Sequence, residues 1–521
     1  MNRPAPFSAS GAGRARELID NPAVIFALLF VAALSPVLWF GLPMAMTDYS
    51  NHLARMFVLA RAGTAHAQPY YQVHWALIPN LAMDLIVPQV GRLIGVETAT
   101  RLFYLASQIL IISGAMAIER AIKGRVQVAG FVALMFLYSL PFALGFVNFE
   151  FALGCALWGI AWALAVQERS WRVRLGVHTS VIVWLFVAHL FAFGVYGFTV
   201  GVHELWRAWS RRTHWRETLG RLVVLALPTV ALVAVVLGSG GAVGGHGTQW
   251  CPGFKPGWLL RVMSGYGIAP SAPGVVALFL LVLALRRRGA LRFEQSGAWL
   301  AVGFTALYVA MPFRLFDTAF VDVRVIVAAA LILPAFVMVS FPSLAWTRAT
   351  LSLAAAIIVL QAGVVTGVWL SYRADFVAAK ASFLDLPRGT KVLIGGSGSD
   401  GDALDFAEYP IFNVPVLAVQ YADAFVPNLF TQAGKQPVST RSPWRRLDIP
   451  YGWLVPVALL KTIAERGAPA GTPEFLRAWQ KDFDYLYLIG PKTANPMPDL
   501  LVEVARAPRF VVYRIRKPSK E

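Results

Sequence analysis

The sequence predicts an α-helical polytopic membrane protein of about eleven transmembrane helices, followed by a C-terminal soluble domain of α/β or α+β type. Three observations carry this. Only 14% of the 521 residues are charged against 57% hydrophobic, and the mean hydropathy is +0.59, whereas soluble chains carry about 25% charged residues. Uncharged runs near the length of a bilayer span recur at 24–42, 102–118, 126–147, 325–347 and 349–372. After Tyr372 charged and turn residues return, and apolar runs shorten to strand length.

The first run, 24–42, follows Arg3, Arg14 and Arg16, so the N-terminus is expected in the cytoplasm. Its length, with no small-residue cleavage site behind it, argues against a cleaved signal peptide. An external first loop, 43–98, comes next, with an amphipathic helix near 51–61. A second apolar stretch, 76–95, reads as interfacial or re-entrant; if it crossed, the charged segments 119–125 and 168–174 would be external. Further spans are expected near 99–118, 126–145, 148–166, 175–188, 189–206, 222–238, 274–285, 297–311, 325–340 and 351–370. The domains are then 1–371, a multi-span membrane unit, and 372–521, an extracytoplasmic unit with strands at 391–394, 485–489 and 510–515 and helices at 454–466 and 472–481.

The net charge is +18. Basic residues gather in short loops at 120–125, 169–174, 207–221 and 286–292, the pattern that holds loops on the cytoplasmic side. Membrane lipids suffice as their partner, and nucleic acid is excluded. Cys155 and Cys251 fall in a helix and a loop, so neither a disulfide framework nor a cysteine metal site follows.

Polar residues retained in such a chain mark candidate sites, because inserting them is costly. In the first loop Asp48, His52 and Arg55 share one helical face. A carboxylate, an imidazole and a guanidinium together deprotonate a hydroxyl and hold a phosphate. The plainer reading makes Asp48 or Ser50 a helix cap and lets Arg55 reach lipid head groups. Asn148 and Glu150, at the next external junction, face a cavity or serve the next helix as cap and first-turn acid. His189 reads as a junction residue or a substrate contact. Arg314, Asp317, Asp322 and Arg324 cluster before a late span; they neutralise one another, or Arg324 receives a lipid phosphate. The glycine-rich loop 238–257 reads as a flap. The G-x-G-x-x-G match at 396–401 precedes no long helix and is set aside as a nucleotide site.

The stretch Asp48-Tyr49-Ser50-Asn51-His52-Leu53-Ala54-Arg55, in a layout of one span, an acidic external loop, many further spans and a C-terminal domain, resembles the GT-C glycosyltransferases. That superfamily includes bacterial sugar transferases dependent on polyprenyl phosphate. The resemblance implies a bacterial inner-membrane glycosyltransferase taking a sugar from a polyprenyl-phosphate donor to an envelope glycan or lipid acceptor. Asp48 would be the catalytic base, and His52, Arg55, Asn148, Glu150, His189, Arg314 and Arg324 would bind substrate. Many members carry a second acid beside the first and Asp48 has none, so a divalent metal stays open as a cofactor; Asp84, Glu97 and Glu150 are the other acids nearby. The alternatives are a transporter or flippase, or a non-catalytic scaffold for envelope polysaccharide assembly; no internal repeat favours the transporter.

Overall fold

A computed structural model describes residues 21–238, 247–316, 318–397, 409–432, 434–449, 454–490 and 494–517. The N-terminal arginines, Asp317, residues 239–246 of the glycine-rich loop and residues 398–401 of the G-x-G-x-x-G match lie outside these.

Helix α1 (Pro22–Leu38) begins where the Asn21 side chain accepts the Ala23 N–H at 3.0 Å and Pro22 fills the first position. The first loop holds α2 (Tyr49–Arg61), β1 (Tyr71–Val73) and α3 (Ala82–Ile94). At 13 residues α3 is about 20 Å long, too short for a hydrocarbon core of about 30 Å. There follow α4 (Val96–Lys123), α5 (Ala129–Met135), α6 (Leu140–Leu144), α7 (Val147–Ala165), α8 (Trp171–Ala188), α9 (Leu190–Arg211) and α10 (Trp215–Gly238). The rest of the membrane body is α11 (Lys255–Arg261), α12 (Ile268–Arg287), β2 (Leu291–Phe293), α13 (Gly297–Ala310), α14 (Val321–Ile332), β3 (Val337–Val339) and α15 (Leu344–Ser371).

Among the described residues six helices are long and apolar enough to cross a membrane, and α1 and α13 are shorter apolar helices. Burial orders them as lipid would. The apolar window of α7 is 83% buried, whereas those of α10 and α12 are 17% and 11% buried despite the highest hydropathies. Val230 on α10 and Phe279 on α12 face outward, 62% and 64% exposed, which water would penalise and hydrocarbon does not. This is a multi-pass membrane body.

Two expected spans are not single helices. The stretch 126–145 breaks into α5 and α6, because Pro141 opens α6 and Gly145, at φ +81°, ends it. Buried Glu119 accepts the backbone N–H groups of Gln127, Val128 and Ala129 and binds Lys123 Nζ at 2.7 Å, which fixes the start of α5. The stretch 325–340 starts within α14, which ends at Ile332 ahead of Pro334; Val337–Val339 then pairs antiparallel with β2.

Beyond α15 come α16 (Arg373–Leu384), β4 (Val392–Gly396), α17 (Ala418–Tyr421), β5 (Val438–Thr440), β6 (Val455–Pro456), α18 (Val457–Arg466), α19 (Glu474–Arg477), α20 (Trp479–Asp482), β7 (Tyr485–Ile489), β8 (Leu501–Arg506) and β9 (Phe510–Ile515). The expected helix 472–481 is interrupted at Ala478, whose backbone (φ −125°, ψ 35°) leaves the helical region. The sheet order is β6-β4-β7-β9-β8, with β4 parallel to β6 and β7 and the remaining pairs antiparallel. β1 pairs antiparallel with β5, tying the first loop to the C-terminal region.

Candidate functional site

Helix α2 is enclosed on all sides: every residue from Tyr49 to Ala60 is buried, including Ser50, Asn51, His52 and Arg55. Such a helix requires partners for its polar groups. Asn51 supplies one set, donating to Asn428 O at 2.8 Å and Asn413 Oδ1 at 3.2 Å and accepting the Phe430 N–H at 2.8 Å. Arg55 supplies another. It forms a bidentate pair with Asp84 of α3, 2.9 and 3.0 Å, with both side chains 1% exposed. Its Nη1 remains buried without a hydrogen-bond partner.

Asp48 sits at the mouth of α2. Its N–H donates to Leu144 O at 3.0 Å, and Gly145 lies so close that a Cβ there would meet Asp48 N at 3.1 Å. The carboxylate makes no capping hydrogen bond, and Ser50 Oγ has no partner. Neither residue caps the helix, and Arg55 turns inward rather than to head groups. Burial raises the Asp48 carboxyl from 3.8 to about 7, against the opposing pull of Arg55 and Arg324. Burial, with Arg55 beside it, holds the His52 imidazole well below its ordinary value and so neutral. His52 Nδ1 is unpartnered, and the ring meets Phe430 edge-on, centroids 5.7 Å apart. Burial also raises Asp84, with Arg55 opposing.

Arg324 arrives from the first turn of α14. The turn before it places Phe316 and Phe320 at φ +50° and +59°, a strained conformation for aromatic residues. The guanidinium stacks over Phe146 and Phe149, 4.6 and 5.4 Å from their centroids. His189 caps α9 by accepting the Phe191 N–H on Nδ1 at 3.1 Å. In the neutral ring the proton is then on Nε2, which faces Arg324 Nη1 at 3.5 Å. Two donors confront each other, and Arg324 Nε is also buried without a partner. Of the described carboxylates, Asp48 is the one whose charge reaches Arg324.

The remaining expected residues divide. Asn148 joins the loop to the membrane body, accepting the Met83 N–H at 2.8 Å and donating to Asn80 O at 2.9 Å. Glu150 lies on the other side of α7, near Tyr104, Tyr138 and Tyr266, and its Oε2 has no partner. Arg314 sits apart, its backbone bridged to Gln249, with Nε buried and unpaired. Asp322 is 3.7 Å from Lys255 Nζ, which also donates to Tyr308 O and Met311 O. Sequence reasoning missed Lys255, Asn413 and Asn428, and named Asp84 only as a spare acid. The available signal for Asp84 was a carboxylate inside an apolar stretch. Among the described residues no group of three or more His, Cys, Asp or Glu side chains could hold a metal. A cleft of about 440 Å³ opens beside Phe57, Arg61, Arg92 and Glu97, at the far end of α2 from Asp48.

No family model matches this chain. No curated protein matches it either. Among solved structures it is similar to ArnT from Cupriavidus metallidurans. The apo form is 15% identical with a TM-score of 0.49, over 95% of this chain and 98% of that one. The form bound to undecaprenyl phosphate is 14% identical with a TM-score of 0.48, over 97% and 98%.

Proposed function

We propose that this protein is a membrane glycosyltransferase. It moves a sugar from a polyprenyl-phosphate carrier to a hydroxyl of an envelope glycan or lipid, on the extracytoplasmic face of a bacterial inner membrane. The observation that carries the reading is the set of unfilled donors around one weakly acidic carboxyl. Arg324 Nε and Arg55 Nη1 are buried and unpartnered, and His189 and Arg324 face each other donor to donor. An anion is the species that satisfies them, and a phosphate offers several acceptor oxygens. Asp48, raised to about 7, is half ionised near neutral pH and suited to general base work.

In the reaction, Asp48 takes the proton of the acceptor hydroxyl as its oxygen bonds to the anomeric carbon. The bond from that carbon to the carrier phosphate oxygen breaks, and polyprenyl phosphate leaves with the bonding pair. Arg324 stabilises the charge gathering on the phosphate. Arg55, clamped by Asp84, adds its free Nη1 donor, and the neutral His52 orients donor or acceptor. The first-loop resemblance to GT-C enzymes and the basic loops at the opposite membrane end support the orientation. The test is complementation of a deletion strain with wild type and Asp48→Ala, reading envelope glycans by mass spectrometry. Wild type restores a sugar-sized modification and Asp48→Ala does not. Equal restoration at equal protein level would sink the transferase reading in favour of a transporter or scaffold.

A further inference from the structure

About 20–30 Å along α9 from His189, a second polar cluster closes the opposite end of the membrane body. The ends of α7, α8, α9, α10 and α13 meet there. His203 bridges Ser296 Oγ and Gln167 Oε1, at 2.8 and 3.0 Å, and so locks α9 to α13 and to the loop after α7. Arg207, only 3% exposed, pairs with Glu168 at 2.9 Å and Glu204 at 3.5 Å. Arg221 completes the ring from α10, 3.9 Å from Glu204 and 3.1 Å from Glu217.

The ring is left unsatisfied. Arg207 Nε and Arg174 Nε are buried and have no hydrogen-bond partner, and neither has Glu204 Oε2. Residues 167–221 carry eight arginines against three glutamates, so the excess is positive. An opening of about 20 Å³ is lined by Arg207, Arg211 and Arg221 together with Glu204 and Glu217, room for one water or one phosphate oxygen. The surroundings are those of a membrane interface. Trp171, Trp209 and Trp215 are 55%, 75% and 63% exposed, and Leu219 and Val223 on α10 continue the outward apolar surface. Tryptophans at this depth sit at the level of lipid head groups.

We propose that this cluster is a binding site for the phosphate of an anionic glycerophospholipid, seated between α8, α9 and α10 on the face opposite the Asp48 site. A lipid is favoured over free phosphate because the cationic opening is continuous with the apolar surface where acyl chains would lie. The headgroup phosphate would accept from the idle Nε groups of Arg207 and Arg174, with the chains running along α10.

The test is native mass spectrometry of the full-length protein in detergent, titrated with phosphatidylglycerol, phosphatidylcholine or inorganic phosphate. Phosphatidylglycerol is expected to bind about tenfold tighter than phosphatidylcholine, and Arg174→Gln to erase that preference, the loss of one charge-assisted hydrogen bond. Arg174 Nε has no hydrogen-bond partner in the protein, so this substitution removes no hydrogen bond made by that atom. Arg292→Gln, at the same membrane end but exposed and paired with Glu294, should keep the preference. Equal binding of the two lipids, or an undiminished preference in Arg174→Gln, overturns the proposal. Displacement of phosphatidylglycerol by millimolar inorganic phosphate also overturns it, by making this a free-phosphate site.

Discussion

Replacing Asp48 with Asn should slow transfer severely and make the protein more stable at alkaline pH. The two effects share one cause. The carboxyl is raised from 3.8 to about 7 chiefly by burial, so the folded protein resists its ionisation. For a group whose folded pKa is raised, stability is fully present below the unfolded value and is lost as pH rises through the folded one. The loss therefore runs from about pH 4 to about pH 7. Fully desolvated, that shift is worth about 4 kcal/mol; Asp48 keeps partial solvent contact, and roughly 2 kcal/mol is a fair allowance. Asn cannot ionise, so Asp48→Asn should melt above wild type at pH 8 and close to it at pH 4. A lost helix cap would do the reverse in Asp48→Ala, costing about 1 kcal/mol at either pH, but the side chain makes no capping bond. Transfer by the wild type should fall about tenfold per pH unit below 7, since the carboxylate is the base, and Asp48→Asn should lose on the order of 100-fold to 10,000-fold at pH 8. The assays are thermal unfolding in detergent across pH and release of polyprenyl phosphate from a labelled polyprenyl-phosphate sugar. Turnover by Asp48→Asn within threefold of wild type at pH 8 would refute the base assignment. A melting difference that does not grow with pH would refute the burial argument.

Three further outcomes are expected. Arg324→Gln should lower kcat by about 100-fold to 1,000-fold with a smaller effect on KM, and Arg324→Lys should not restore it, because a compact ammonium loses the stack on Phe146 and Phe149; steady-state kinetics on the labelled donor decide this. Asp84→Asn leaves the buried Arg55 unpaired and should cost about 3–5 kcal/mol, whereas Arg55→Met with Asp84→Leu should regain most of the melting temperature without regaining activity. Gly145→Ala meets both a positive φ of 81° and the Asp48 backbone at 3.1 Å; it should lower stability by about 1–2 kcal/mol and turnover with it, measured by melting and the same release assay.

The parts of this molecule that could be read from one sequence are those decided by local runs. Residues 485–489 form an unbroken apolar and aromatic stretch and 510–515 one interrupted only by Arg514, and both are strands with those bounds. The polar face of Asp48, His52 and Arg55 stood out because such groups are costly in an apolar chain. What could not be read are choices between distant partners. Arg55 gave no sign of selecting Asp84, 29 residues on, nor Lys255 of selecting Asp322. The break between α5 and α6 was hidden by continuous hydrophobicity, with Pro141 and Gly145 as its only marks. β8 was missed because its alternation is irregular and a bulge lies between Glu503 and Ala505.

Asn51 is bonded to Asn428, 377 residues later in the chain, and β1 finds its partner only in β5. A ribosome adding about 5–20 residues per second needs roughly 20–75 s to make that interval. Through that time α2 lacks the surface that encloses it. The nascent protein is therefore obliged to keep a polar helix waiting without its partners, and the surroundings of Asp48 are among the last parts to mature. Truncation before the last 150 residues would leave a membrane-inserted chain that never closes around Asp48.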